Sequence, residues 1–190
     1  MPPVFTVFFE QCGPLAWPLA LCSITTLALL IERVVLFIIH QRGFQLFERG
    51  IVPTGAQVWL QLQQVQQEQA KVIKPIRDEH LTLWLGSLRR QLLANNGYLH
   101  LMGVIAPLLG LLGTVMGITD AFSVISGTSD PVTPALVADG IQSAMLTTIV
   151  GLCIAIPALL TAQGFRLWLD NSLELLSERL NIWSLSLELA

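Results

Sequence analysis

The polar side chains inside the most apolar parts of this chain are nearly all hydroxyls. The stretch 107-PLLGLLGTVMGITD-120 carries Thr114 and closes on Asp120, while 140-GIQSAMLTTIVGLCIAIPALL-160 carries Ser143, Thr147 and Thr148. Such hydroxyls have two uses. A threonine can bond the carbonyl one turn back in its own helix and so satisfy itself, or it can reach across to a neighbouring helix and line a polar path. The residues alone leave both readings open. Neither stretch has a Lys, Arg, Glu or His at its centre, and Asp120 lies toward one end, where it suits an entrance. A complete proton relay needs an ionisable group within the membrane. If protons pass here, another polypeptide must bring the carboxylate.

Other chemistry is excluded by spacing. His40, His80 and His100 are isolated, with no HExxH pattern and no glycine-rich phosphate loop. Ser143 stands one turn from Asp139 without the base a nucleophilic serine requires. Cys12, Cys22 and Cys153 make neither a disulfide framework nor a metal site, and Cys22 and Cys153 suit small core positions. The expectation is a non-enzyme with no cofactor and no metal. The basic residues form no dense patch, so nucleic acid is not an expected partner.

The elements that must position these hydroxyls follow from composition. Of 190 residues 53% are hydrophobic and 12% charged, about half the charged share of a soluble domain. Uncharged runs extend over Gln11–Ile31, Gln91–Thr119 and Gly140–Phe165. Each exceeds the ~20 residues a helix needs to cross a bilayer, and a chain in lipid must pair its own backbone groups. All ten Lys and Arg fall within Arg33–Arg49, Lys71–Arg90 and Arg166–Arg179. Positive residues stay on the cytoplasmic side, which places the N-terminus and the loop near 126–139 outside. The expected fold is an all-α membrane protein with three transmembrane helices, N-terminus outside and C-terminus inside, and long cytoplasmic helical extensions. The segments are an external 1–14, a first span 15–40, a cytoplasmic helical region 41–97, a second span 98–125, an external loop 126–134, a third span 135–165 and a cytoplasmic helix 166–190.

Small residues mark one face of two spans. Ala106, Gly110, Gly113, Gly117 and Ala121 recur at three- and four-residue intervals, as do Gly140, Ala144, Thr147, Gly151 and Ala155. Such stripes let helix backbones approach closely, so Gly110, Gly113, Gly117, Gly140, Ala144 and Gly151 are assigned to helix packing. At 1.5 Å per residue, Thr114 lies roughly 16 Å below an outer boundary near Ile125, and Thr147 roughly 18 Å below one near Ala135. In a hydrocarbon core of ~30 Å both are near mid-depth. Pro107 and Pro157 lie on the cytoplasmic side of these threonines, one per helix, so the two spans form a matched antiparallel pair.

The polar parts read as amphipathic helices. In 57-QVWLQLQQVQQEQ-69, Trp59, Leu60, Leu62 and Val65 recur at helical intervals, as do Leu81, Leu85, Leu88 and Leu92 farther on; Pro75 should break or kink the helix at Lys74. The glutamines form a solvated face or a partner-binding one. Leu167, Leu173, Leu176, Leu180 and Trp183 give an apolar face to a continuation of the third span. Glu32 and Arg33 end the first span as an interfacial anchor or as an ion pair with a neighbouring subunit.

The segments 106-APLLGLLGTVMGI-118 and 140-GIQSAMLTTIVGLCIAIPALL-160 closely resemble the MotA/TolQ/ExbB proton-channel family, in its ExbB branch, and 15-LAWPLALCSITTLALLIERV-34 is similar to that family's opening helix. The resemblance implies a subunit of an inner-membrane pentamer around the helices of an ExbD-like single-span partner. That partner supplies an aspartate, and proton flow past it energises a TonB-like protein and the uptake of iron chelates, haem or cobalamin. A TolQ-like role in the Tol-Pal envelope system, or a non-conducting scaffold, is the alternative. Thr114 and Thr148 fall on the family's threonines, while Thr147 occupies a position that is often alanine. Ser143 stands where the ExbB and TolQ members commonly carry glutamate.

Overall fold

The computed structural model describes residues 15–48, 57–127 and 134–188. They form five helices: α1 (Ala16–Glu48), α2 (Gln57–Gln69), α3 (Lys74–Leu92), α4 (Asn96–Gly127) and α5 (Pro134–Ser186). Among the described residues there is no strand. Ala16–Phe44, Asn96–Ser123 and Gly140–Ser186 are each long and apolar enough to span a membrane. The expected all-α membrane fold is therefore what forms. The external segment 1–14 and most of the loop 126–134 lie outside the described residues.

The described residues within Met1–Ile31 and Gly97–Ala162, and those within Glu32–Asn96 and Gln163–Ala190, make two compact units. In the first, α1, α4 and α5 meet through small residues. Leu19 and Cys22 pack on Ala106, Ile154 and Ala155, and Leu99 packs on Ala158 and Ala162. The remaining faces of these helices expose large apolar side chains, including Ile24, Leu108, Val115, Ile149 and Leu160. That exposure is costly in water at ~25 cal/mol per Å² and costs nothing in lipid. Pro107 and Pro157 both sit inside continuous helices; lipid-embedded helices tolerate the missing N–H where neighbours re-satisfy the freed carbonyl.

The second unit has a core of the soluble type. Phe44, Trp59, Leu62, Leu81, Leu88, Leu92, Phe165, Leu169, Leu173, Leu176 and Leu180 form one buried cluster. Phe37, Phe44 and Phe165 pack edge-on or tilted around Trp168, with centroids 4.9–5.7 Å apart, the separation aromatic pairs favour. Gly43 lets Trp59 in, since a Cβ there would stand 2.5 Å from the indole Nε1.

Two details of the helical pattern differ from expectation. Leu60 is 51% exposed and Leu167 is 64% exposed. Each lies outside the buried stripe of its helix, which runs through Trp59 and Leu62 in α2 and through Leu169, Leu173, Leu176 and Leu180 in α5. The break expected at Pro75 does occur: α2 ends at Gln69 and Pro75 lies in the first turn of α3, where its missing N–H would have no intrahelical partner anyway.

Candidate functional site

The contact between α4 and α5 is close enough that backbone meets backbone. A Cβ at Gly151 would come within 2.5 Å of the Ala106 carbonyl oxygen, and one at Gly110 within 2.9 Å of the Thr147 carbonyl and the Thr148 Cα. Gly113 faces the Thr147 side chain, Gly117 faces Ala144, and Gly140 faces Ala121. The pairing is antiparallel and keeps one register along the contact. Thr114, next to Gly113, is consequently level with Thr147.

The hydroxyls divide three ways. Thr147 is 2% exposed; its Oγ1 donates to the Ala144 carbonyl at 2.7 Å and lies 3.3 Å from the Gly110 carbonyl. Thr148 is half-buried, and its Oγ1 donates across the contact to the same Gly110 carbonyl at 3.0 Å. Thr114 is half-buried on the flank of α4 and donates to the Leu111 carbonyl at 2.7 Å. Both uses of a buried threonine thus occur in one place, back-bonding at Thr114 and a bond between helices at Thr148. Each hydroxyl oxygen keeps acceptor capacity after donating. Asp120 is exposed on α4 beyond this level, with Ser123 Oγ donating to its backbone carbonyl at 2.8 Å. Ser143 belongs to α5, and its side chain lies outside those described.

Glu32 and Arg33 form a separate cluster within the second unit. Arg33 is 2% exposed. Its Nη1 donates to the Leu92 carbonyl at 2.6 Å, its Nη2 to Glu32 Oε1 at 3.2 Å, and its guanidinium carbon stands 5.0 Å from the centroid of the Phe165 ring. Asn95 Nδ2 donates to both Glu32 oxygens at 2.8 and 3.0 Å. Both side chains thus make contacts within the chain. Arg33 caps an orphan carbonyl at the end of α3, and Glu32 holds the turn that leads into α4.

A second buried arginine was not anticipated. Arg77, 3% exposed, donates from Nε to Ser184 Oγ at 2.9 Å, from Nη2 to the Ser184 carbonyl at 2.7 Å and from Nη1 to the Val72 carbonyl at 3.0 Å. Ser184 Oγ donates in turn to Asp78 Oδ1 at 2.6 Å. The signal was present: Arg77 continues the stripe of Leu81, Leu88 and Leu92, and Ser184 that of Leu173, Leu176 and Leu180. A polar residue in register with a buried stripe asks for a partner.

Among the described residues no group of His, Cys, Asp and Glu could hold a metal ion. What remains is a pair of closely packed apolar helices with hydroxyls at one level. Residues 51–178 match the model of the MotA/TolQ/ExbB proton channel family. The chain belongs to the MotA/TolQ/ExbB family. This is a family of proton channels and not of enzymes. The chain is 34% identical over 197 residues to the biopolymer transport protein exbB1 of Vibrio cholerae serotype O1, covering 94% of this chain and 86% of that one. It is 46% identical over 70 residues to the biopolymer transport protein ExbB of Salmonella typhimurium, which covers 37% of this chain and 28% of that one. It is also 41% identical over 63 residues to the Tol-Pal system protein TolQ of Haemophilus influenzae, covering 33% of this chain and 27% of that one.

Proposed function

We propose that this chain is the ExbB-like subunit of an inner-membrane motor that spends the proton-motive force on TonB-dependent uptake across the outer membrane. The observation that carries the reading is the hydroxyl level at the α4/α5 contact, where Thr148 reaches the Gly110 carbonyl and Thr114 lies alongside. Near-full-length similarity to the biopolymer transport protein exbB1 supports the ExbB-like reading. The N-terminus is periplasmic, because all basic residues lie on the opposite side of the spans. Five copies surround the transmembrane helices of an ExbD-like partner, whose aspartate carries the proton.

In this mechanism the half-buried Thr114 and Thr148 face the partner, Ser143 lines the same route toward its outer end, and Asp120 stands at the entrance. Thr147 holds the helix contact that fixes their level. An ionised carboxylate at the bilayer centre costs ~2.5–3.5 kcal/mol on insertion scales. Hydroxyls of Thr114 and Thr148 that turn from the Leu111 and Gly110 carbonyls to donate to the carboxylate, together with water, offset part of that cost while the aspartate is charged. Protonation removes the charge and releases these contacts, so the partner helix moves on to the next subunit. Each proton driven by 100 mV supplies ~2.3 kcal/mol, comparable to the contacts to be broken.

The test is proton flux in liposomes holding this chain with its partner. Thr148→Val should lower flux by roughly tenfold, the equivalent of one hydrogen bond to a charged group, with the complex still assembled, and Thr148→Ser should restore it. Unchanged flux in Thr148→Val would remove Thr148 from the pathway. Flux that survives an Asp→Asn change in the partner would refute the shared mechanism.

A further inference from the structure

The sequence and the second unit together place three arginines at the edge of the apolar region. Arg166 is the first charge after the uncharged run Gly140–Phe165, and Arg89 and Arg90 are the last charges before α4. Arg89 Nε and Nη2 donate to the two Asp170 oxygens at 2.9 and 3.3 Å, and Arg166 Nε stands 3.9 Å from Asp170 Oδ2. One carboxylate thus gathers guanidiniums from α3 and α5. Among the described residues it is the only carboxylate within 4 Å of either. The hydrogen bonds to Asp170, then its charge, hold the Arg89 pKa above its ordinary value, so this charge is permanent. Both side chains remain open, Arg89 at 44% and Arg166 at 57% exposure, and Arg90, the next residue along α3, is exposed as well.

We propose that Arg89, Arg90 and Arg166 receive the headgroup of an anionic phospholipid of the adjoining leaflet. Asp170 faces two guanidiniums, which leaves one positive charge unmatched, and Arg90 adds a second one residue along α3. Arg89 spends Nε and Nη2 on Asp170, leaving its Nη1 group and those of Arg166 as N–H donors. Planar N–H donors fit phosphate oxygens in pairs. The position suits a lipid rather than a dissolved anion, because Arg166 follows directly on the uncharged run Gly140–Phe165, which is longer than the ~20 residues a helix needs to span the bilayer. The inference rests on the reading that Arg166 marks the inner membrane boundary; it does not rest on proton conduction.

The experiment is native mass spectrometry of the complex of this chain with its partner, delipidated in detergent and offered phosphatidylglycerol or phosphatidylcholine. The complex should retain phosphatidylglycerol preferentially. A double variant, Arg89→Gln with Arg166→Gln, should lower that preference roughly 30-fold, about fivefold per arginine near an anionic surface. Asp170→Asn keeps both guanidiniums and removes the carboxylate that competes for them, so the preference should rise. Should the double variant fail to assemble, Arg90→Gln alone should still cost about fivefold. Equal retention of the two lipids, a wild-type preference in the arginine variants, or a fall in Asp170→Asn would each overturn the proposal. Displacement of the lipid by an equal concentration of soluble glycerol phosphate would also overturn it. Because lipid retention is read without proton flux, a conducting complex with no lipid preference defeats this inference and leaves the proposed function standing.

Discussion

At the scale of single residues, the α4/α5 contact ranks its glycines. Gly151 meets a backbone oxygen of Ala106, which cannot step aside, whereas Gly103 would meet the Leu159 side chain, which can. Gly151→Ala should therefore cost ~2–3 kcal/mol by overpacking, Gly103→Ala less, and Gly164→Ala, with nothing within 4 Å of its Cβ, should stabilise by ~0.5–1 kcal/mol. Thermal unfolding of the three variants in detergent checks the order; a Gly151→Ala protein as stable as Gly164→Ala would mean the helices do not meet so closely. The glycine stripe was legible in the sequence because three- and four-residue spacing needs no tertiary knowledge. The division among the threonines was not. Thr147 and Thr148 are neighbours of one type, and about 100° around the helix separates a hydroxyl 2% exposed from a half-buried one. Only the partner helix decides which is which.

At the scale of elements, the long helices and the opening of α3 at Pro75 follow from apolar run length and from proline chemistry, so both could be read in advance. The helix ends could not. α3 finishes on a carbonyl that is satisfied by Arg33, 59 residues away, and no local capping motif announces such a bond. Arg33→Gln should destabilise the protein by about 2–3 kcal/mol, since it withdraws charged hydrogen bonds from the Leu92 carbonyl and from Glu32. Arg33→Lys should recover little of this, as a compact ammonium lacks the two separated Nη groups that reach the Leu92 carbonyl and Glu32. Hydrogen exchange at residues 92–96 is the measurement: faster exchange there in both variants is expected, and unaltered exchange would show that the turn is held by packing alone.

At the scale of the whole molecule, charge asymmetry makes an orientation that can be checked directly. With Cys12, Cys22 and Cys153 replaced, Ser126→Cys and Ser87→Cys each offer one thiol at an exposed position. A membrane-impermeant maleimide added to intact spheroplasts should label the first and not the second; the reverse pattern would invert the topology. One long-range bond also bears on how such a chain is made. Arg77 finds Ser184 across 107 residues, so while the ribosome is still producing α4 and α5 its guanidinium has no lasting home. A chain that stalls anywhere in that interval leaves Leu81, Leu88 and Leu92 without the leucines of α5 that cover them, the kind of surface that chaperones hold and proteases clear. The clamp can close only once Ser184 has been made, so the last turns of α5 complete the second unit.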